Sequence, residues 1–425
     1  MYYRLSLLSF LIYAVSGAWW PVLSLRLEHD LHFAPMQIGL VYASSALGAI
    51  LASLVAGQVA DRWLSAERCI AVCSTVAGGL LWAVSYATDF PMVCVLCLGV
   101  WLFMVPVMIL GVTTSLAHLE RPELQFSRVR LWGTIGWMGA GLFFGLWLHQ
   151  AKNYLPVSLD DSPRLGGILA FVLAGYALTL PHTPPSREAK TWLAPLQAIH
   201  LLRNRNFAVF CICGFIIHMT ITFQLQMTSL MLKRLGLAEA WISPILTVGQ
   251  CSEVVILFLL PVLSGRLGMK GTLLLGISAM ATVLTVLMIG EPLWLMISIL
   301  LLNGFVICCY VIRGQVFINS QARKDIRASA QGLFTTINGI GLLLGNLLCG
   351  VIRNLFEGQF APTFAVGAGI ALFGVFLLAF GFRSEPATST IRPQTTPEEP
   401  TPSGIVELPK PIIANVETTA QPLEV

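Results

Sequence analysis

The chain has 425 residues, of which 56% are hydrophobic and only 11% are charged, and its formal net charge at pH 7 is +4. Soluble domains carry about 25% charged residues, so this composition excludes an ordinary water-soluble globular protein. Most of the surface must instead face lipid.

Long apolar segments fill residues 5 to 382. A membrane-spanning helix needs roughly 20 predominantly apolar residues, and about twelve segments reach that length. The first of them lacks the small-residue cleavage site of a signal peptide, so it is predicted to be the first span. The predicted spans are 5–27, 37–60, 68–87, 91–113, 129–150, 163–181, 207–232, 240–263, 270–290, 292–318, 327–352 and 361–382.

A polar linker with Pro184, Pro185 and scattered basic residues separates the spans into two sets of six. The end of the chain is rich in Pro, Thr and Glu and is predicted to be disordered. The six-plus-six layout indicates an all-α membrane protein with the major facilitator fold and twelve transmembrane helices. The predicted divisions are an N-terminal six-helix bundle at 1–181, a cytoplasmic linker at 182–206, a C-terminal six-helix bundle at 207–384 and a disordered cytoplasmic tail at 385–425.

The distribution of charge sets the expected orientation. Arg and Lys are concentrated in the loops that share a side with the N-terminus, among them Arg62, Arg68 and Arg128. The positive-inside rule therefore places both termini in the cytoplasm. We expect a multi-pass protein of the cell inner membrane, surrounded by the lipid bilayer and monomeric.

The ten cysteines lie almost wholly within the spans. The spacing of Cys94 and Cys97 is compatible with a redox pair or half of a metal site, but no second cluster or nearby His completes either. Buried apolar thiols are therefore expected, without metal or cofactor. The sequence also lacks a Ser-His-Asp order and a phosphate-binding Gly loop beside a strand, so an enzyme is not predicted.

The segment Gly57–Arg62 ends the second span on the predicted cytoplasmic side. It resembles the Gly-x-x-x-Asp-Arg signature of the major facilitator superfamily, in which the Asp helps to hold one conformation. Asp61 and Arg62 are accordingly predicted to be gating residues. The alternative is an exposed ion pair, worth less than about 1 kcal/mol.

Among the charged residues inside the predicted spans, three stand out: Arg130, Glu253 and Arg313. A charge at the bilayer centre costs about 2.5–3.5 kcal/mol, so each must pair, face water or serve a function. Arg130, Thr134 and Trp137 lie at i, i+4 and i+7 on one helix face, which suits a polar, planar solute. Alternatively, Arg130 caps the cytoplasmic end of the fifth span and snorkels.

Gln250 and Glu253 share a face in the middle of the eighth span. An amide beside a carboxylate suits sugar hydroxyls or a base edge, and a carboxylate in an apolar span suits proton uptake. The alternative is a structural ion pair with Arg130 or Arg313. Thr222 and Gln226, at i and i+4 in the seventh span, are predicted either to line the cavity or to hydrogen-bond a neighbouring helix.

Together these stretches resemble the nucleoside:proton symporter family of the major facilitator superfamily, in order and in matching spans. The resemblance rests on Gly17–Trp19, Ala60–Ala66, Arg130–Gly136, Leu178–His182, Gln250–Glu253 and Ile326–Gly332. It implies a nucleoside substrate, a proton as coupling ion, and a site lined by Arg130, Thr134, Trp137, Gln250 and Glu253. Trp137 would offer the base a stacking surface.

The chain departs from the family pattern in its tenth and seventh spans. Cys308 stands where the family carries an Asp, Asn303 replaces a Tyr, and a family Gln aligns with Thr222. We therefore expect Glu253 to be the proton-coupling carboxylate.

The predicted function is the import of nucleosides by proton symport with alternating access. An uncoupled or differently coupled facilitator of another small polar solute, such as a sugar or a nucleobase derivative, is the main alternative. A non-transporting receptor built on a transporter frame is a third. No nucleic-acid partner is expected.

Overall fold

The computed structural model describes residues 1–62, 65–120, 122–152, 154–183, 198–322 and 326–383, with backbone only at 53–62, 122–124, 127, 327 and 328. Residues 1–384 form one compact unit. Within the described ranges the regular structure is helical and contains no β-strand. The predicted linker falls largely, and the predicted tail wholly, outside these ranges.

The described helices follow the predicted spans along the chain. In chain order they are α1 (Tyr2–Asp30), α2 (Pro35–Arg62), α3 (Ala66–Val84), α4 (Phe90–His118), α5 (Pro122–Ala151), α6 (Asp161–Ala177), α7 (Arg205–Arg234), α8 (239–267), α9 (269–289), α10 (Leu293–Gln321), α11 (Arg327–Leu355) and α12 (Phe360–Gly381). Short 3₁₀ and π turns interrupt α1 and α10 without breaking their course.

Ten stretches of these described helices are long and apolar enough to cross a membrane. The helix α6 has 17 residues and falls just short of that length. One stretch, Glu239–Ile289, contains both α8 and α9, which meet at Gly268 with φ 65° and ψ −171°. Left-handed φ values of this kind favour glycine, because a Cβ would be strained there.

Several helices extend beyond the spans predicted from hydropathy. The polar stretch before Val129 is helical, so α5 begins at Pro122 rather than at residue 129. Likewise α4 continues to His118, past the predicted end at residue 113. Hydropathy marks the hydrocarbon-spanning part of a helix, whereas backbone hydrogen bonding continues into the polar boundary.

The two sets of six helices pack in the same pattern. In the N-terminal set α1 packs against α5 and α6, α2 against α4, and α3 against α6. In the C-terminal set α7 packs against α11 and α12, α8 and α9 against α10, and α9 against α12. The sets meet mainly through α2 with α11 and α5 with α8. Such an internal repeat is typical of secondary transporters, whose sites lie between the halves.

Polar contacts define the two ends of the helical unit. Arg26, Glu28, Asp160, Glu239 and Arg353 cluster at one end, here called the distal end. The opposite, proximal end holds the N-terminus. There Arg4 donates to the carbonyl of Thr179, Glu67 bonds His182, and Arg205 donates to the carbonyl of Gly381.

Glycines allow α1 and α5 to approach closely. A Cβ on Gly17 would lie 2.7 Å from the Cα of Trp137, and a Cβ on Gly136 would overlap the carbonyl oxygen of Phe10. Membrane helices pack through van der Waals contact rather than through the hydrophobic effect, so small residues at crossings let backbones touch. This contact fixes the face of α5 that carries Trp137.

We predict that Gly136→Val destabilises the protein by about 1–3 kcal/mol, because the side chain overpacks the α1–α5 contact. The matched control is Gly79→Val, since a Cβ at Gly79 has nothing within 4 Å. Thermal unfolding in detergent, followed by tryptophan fluorescence, is expected to show a lower Tm for Gly136→Val only. Equal Tm values for the two variants would contradict the described contact.

Candidate functional site

A cavity of about 190 Å³ lies between the two sets of helices. The N-terminal set contributes α1 and α5, through Trp20 and Trp137 among others. The C-terminal set contributes most of the wall, from α7, α8, α9 and α10. Among the described lining residues the polar ones are Gln224, Thr228, Ser229, Ser243, Thr247, Gln250, Glu253 and Asn303.

Gln250 and Glu253 face the cavity from α8, as their spacing predicts. In the orientation that satisfies its hydrogen bonds, the amide nitrogen of Gln250 donates to the carbonyls of Leu246 at 2.8 Å and Thr247 at 3.2 Å. Its amide oxygen is then free to accept. Glu253 is the one carboxylate among the described lining residues, so α8 presents two acceptors to the cavity.

On the opposite wall, Trp137 lines the cavity from α5. Arg130, two turns away along α5, lies outside this lining in a small adjacent cavity, with its guanidinium 4.2 Å from the centre of the Tyr13 ring. That distance is a cation–π contact. Arg130 is also the charged group that acts on Glu253 electrostatically, although the ion pairs of the described residues do not join the two.

Besides Arg130, three predicted site residues do not reach the cavity in this conformation. Thr134 is buried between Arg130 and Trp137. The hydroxyl of Thr222 donates to the carbonyl of Met219 at 2.7 Å, and Gln226 donates to the side chain of Asn346 at 2.8 Å. The bond from Gln226 on α7 to Asn346 on α11 matches the predicted alternative, in which Gln226 hydrogen-bonds a neighbouring helix instead of lining the cavity.

The reason lies in the rotation of α7. Its lining residues Ile221, Gln224, Leu225 and Thr228 recur at i, i+3, i+4 and i+7, the spacing of a single helix face, and Ser229 lies at the edge of that face, about 80° from Ile221. Thr222 and Gln226 are turned away from that face by about 100° and 140° at 3.6 residues per turn. Hydropathy gives no signal of this rotation.

The structure adds an amide pair that sequence reasoning missed. Gln224 donates from its amide nitrogen to the amide oxygen of Asn303 at 3.0 Å, joining α7 to α10 at the cavity wall. Asn303 packs against Gly249, where a Cβ would lie 3.0 Å from its amide nitrogen. In the sequence, Asn303 stands out only as the replacement of a family Tyr, and because neutral amides are common inside membrane bundles, nothing in the sequence predicted that Asn303 pairs with Gln224 at the cavity.

Aromatic and hydroxyl groups complete the wall. Trp20 contacts the rings of Tyr42 and Trp101, with centroids 4.7 and 5.0 Å apart. The hydroxyls of Thr228 and Ser243 are buried and have no hydrogen-bond partner within the described part of the chain. Buried hydroxyls of this kind are available to a polar ligand.

Cys308, at the position of the family Asp, does not line the cavity. It is fully buried and its thiol faces the backbone carbonyl of Glu253 at 3.4 Å. It lies in the π turn Val306–Ile312, which shifts the register of α10. Arg313 follows this turn, half-buried, and its Nε has no partner among the described residues. The ion pairs of the described residues join Glu253 neither to Arg130 nor to Arg313.

Two further predictions have limited structural counterparts. The backbone of Asp61 and Arg62 forms the proximal end of α2, but their side chains lie outside the described residues. Within the described part of the chain, His, Cys, Asp and Glu form no group of three that would hold a metal ion.

A cavity that lies between two six-helix sets of a membrane protein and carries several polar groups on its wall defines a secondary transporter. The whole helical unit, residues 1–387, matches the family model described as nucleoside H⁺ symporter. The chain therefore belongs to the nucleoside H⁺ symporter family, which is a family of transporters and not of enzymes.

Curated relatives agree with this assignment. The chain is 30% identical over 405 residues to the xanthosine permease of Escherichia coli, an alignment that covers 89% of this chain and 95% of the permease. It is 28% identical over 412 residues to the nucleoside permease NupG of the same organism, covering 89% and 96% of the two chains.

Solved structures share the fold. The crystal structure of the nucleoside transporter NupG superimposes with a TM-score of 0.79 at 25% identity, covering 90% of this chain and 99% of that one. A D-xylose–proton symporter superimposes with a TM-score of 0.70 at 12% identity, covering 90% and 98%. The predicted major facilitator fold is thus confirmed.

We predict that N-ethylmaleimide, which enters the detergent micelle, modifies Cys251 faster than Cys308 in the folded protein, because Cys251 lies on the outer surface of α8 whereas Cys308 is buried. Mass spectrometry of peptides from detergent-purified protein measures both thiols in one sample. Denaturation before labelling should expose Cys308 and serves as the control. Modification of Cys308 at a rate near that of Cys251 would mean that this thiol faces the cavity.

Proposed function

We propose that this protein imports nucleosides together with protons, through a cavity that opens alternately to the two sides of the inner membrane. The observation that carries the proposal is Glu253, the one carboxylate on the described cavity wall, beside Gln250 and opposite Trp137. A titratable acid, hydrogen-bonding groups and an aromatic face are what a proton and a nucleoside require together. The xanthosine and nucleoside permeases among its relatives support the substrate class.

Each group has a proposed role in binding. The base stacks on Trp137, and the ribose hydroxyls donate to the oxygens of Gln250 and Glu253. Gln224 and Asn303, held together by their hydrogen bond, meet the remaining polar groups of the substrate. The buried hydroxyls of Thr228 and Ser243, which have no partner among the described residues, provide further contacts.

Arg130 and Thr134 act from the proximal side of the cavity on α5. In the empty carrier, the charge of Arg130 partly offsets that of deprotonated Glu253, whose burial disfavours the charged form. When a proton and a neutral nucleoside bind, the carboxylate becomes neutral and its burial no longer leaves an uncompensated charge. The fully loaded carrier can then change conformation, whereas the half-loaded carrier is disfavoured.

The remaining assignments follow from orientation. The positive-inside distribution supports a cytoplasmic proximal end, and therefore cytoplasmic termini and a distal end facing outward. We propose that Asp61 and Arg62 gate the proximal side, and that the carrier works as a monomer in the lipid bilayer. Gln226 and Thr222 support the helix packing rather than contact the substrate in this conformation.

One observation favours a second candidate function. Cys308 provides no acid at the position of the family Asp, and its thiol is turned away from the cavity. An uncoupled carrier of another small polar solute, such as a sugar or a nucleobase derivative, would need no acid there.

We predict that Glu253→Gln abolishes accumulation of labelled uridine driven by a proton gradient, while exchange of internal for external uridine continues. Gln keeps the shape of the side chain but cannot bind the coupled proton. A gradient of one pH unit stores about 1.4 kcal/mol per proton, enough for about tenfold accumulation by the wild type. Uptake into proteoliposomes measures both activities.

Glu239→Gln is the matched control for this experiment. It removes a carboxylate from the same helix, at the distal end, where Glu239 pairs with Lys233 at 2.6 Å. We expect it to accumulate uridine like the wild type. Undiminished accumulation by Glu253→Gln would overturn the assignment of the coupling group.

We also predict that Trp137→Ala weakens uridine binding about 5- to 150-fold, because stacking of a base on an aromatic ring contributes about 1–3 kcal/mol. Trp137→Phe should retain most of the affinity. The control is Trp132→Ala on the same helix, since Trp132 lies on the exposed surface of the bundle. Competition binding with purified protein gives the Kd, and equal loss of affinity in both Ala variants would contradict stacking on Trp137.

A further inference from the structure

At the distal end, the two sets of helices touch through glycines. A Cβ on Gly39 of α2 would lie 2.7 Å from the Cα of Gly350 on α11. On the other side of the unit, a Cβ on Gly145 of α5 would overlap Pro244 of α8. Real Cβ atoms are not found so close to backbone, so these two crossings permit no larger residue in this conformation.

Between these crossings runs a buried hydrogen-bonded seam, here called the distal seam. The Ser24 and Ser229 hydroxyls lie 2.8 Å apart, and the Ser24 amide donates to the Tyr42 hydroxyl at 3.2 Å. The Asn346 side chain donates to the Tyr42 carbonyl at 3.2 Å and accepts from Gln226 at 2.8 Å. All five side chains are at least 96% buried. The bonds from Ser24 to Ser229 and from Asn346 to Tyr42 each join the two sets.

Beyond the seam, an ion pair joins the sets again. Glu28 of α1 and Arg353 of α11 approach to 2.6 Å, and only 5% of the Arg353 side chain is exposed. Both line a surface crevice of about 560 Å³ between the sets, together with Phe33 on one side and Phe360 on the other. The crevice lies along the line at which the two sets of helices would separate at the distal surface.

We propose that the Gly39–Gly350 contact, the distal seam and the Glu28–Arg353 pair together form the distal gate of the carrier. Opening the cavity to the distal side requires all three to separate. The seam reaches the cavity itself, because Ser229 belongs to both. This inference rests on the alternating access proposed above and specifies how access on one side is controlled.

The chemistry of the seam suits a contact that must break and re-form. A buried polar group left without a partner is costly, so the closed gate holds its hydrogen bonds intact. When the gate opens, water replaces each lost partner, and the net change for each hydrogen bond is small. A closed contact of the same area made of apolar side chains would expose those side chains to water on opening, and water would not replace the lost packing contacts.

The glycine contact provides the first test. Gly350→Ala places a methyl group against the backbone of Gly39 and should hold the distal end apart. Gly369→Ala is the matched control, because a Cβ there has nothing within 4 Å. Spin labels at Ala34→Cys and Gln359→Cys, two exposed distal sites, report the separation of the sets by pulsed electron resonance in a background in which Cys73, Cys94 and Cys251 are replaced by Ser.

We expect Gly350→Ala to raise the population at the longer distance about threefold or more, and Gly369→Ala to reproduce the parent distribution. An unchanged distribution in a folded Gly350→Ala protein would overturn the proposal. The readout does not require transport, so a failure of the gate is distinguishable from a failure of nucleoside import.

The ion pair provides a second test that does not depend on a tight backbone contact. Arg353→Glu places two carboxylates together and should also favour the longer distance. The double variant Glu28→Arg with Arg353→Glu restores an attractive pair and should return the distribution toward that of the parent. Absence of opening in Arg353→Glu, or a double variant as open as the single one, would overturn the proposal.

Discussion

The structure depends on the placement of one titratable group, the carboxyl group of Glu253, within a membrane-spanning helix. Its charged form costs about 2.5–3.5 kcal/mol at the bilayer centre unless something compensates it. Here part of that cost is offset from the other set of helices, because Arg130 on α5, outside the cavity lining, acts electrostatically on Glu253 on α8. The two residues belong to different sets of helices. A proton on Glu253 therefore changes the electrostatic attraction between the very parts that must move.

The cavity and the distal gate are related through this arrangement. Polar groups on α7, α8 and α10 surround the space that a nucleoside would occupy, and α7 continues from Gln224 at the cavity to Ser229 in the distal seam. Occupancy of the cavity and closure of the distal end thus involve neighbouring residues of one helix. Close glycine crossings allow the sets to meet without interlocking large side chains, which suits surfaces that separate repeatedly.

Much of the fold was predictable, because each helix that crosses lipid must be apolar and long. The charged face of α8 was predictable for the complementary reason, since Glu253 stands out in an apolar segment. The positions of Gln224 and Asn303 on the cavity wall could not be predicted, because neutral amides are common in helical bundles and the direction of their side chains depends on helix rotation. The same rotation moves Thr222 and Gln226 off the cavity face. The π turn that accompanies the burial of Cys308 has no sequence signature that hydropathy detects.

The central claim is that a proton and a nucleoside cross the membrane together. The most direct measurement is the lumenal pH of proteoliposomes after external uridine is added with no imposed proton gradient, using a trapped pH-sensitive dye and a valinomycin clamp of the membrane potential. The account predicts that uridine entry acidifies the lumen, in proportion to the uridine taken up. Uridine entry at an unchanged lumenal pH would contradict it and would identify an uncoupled carrier.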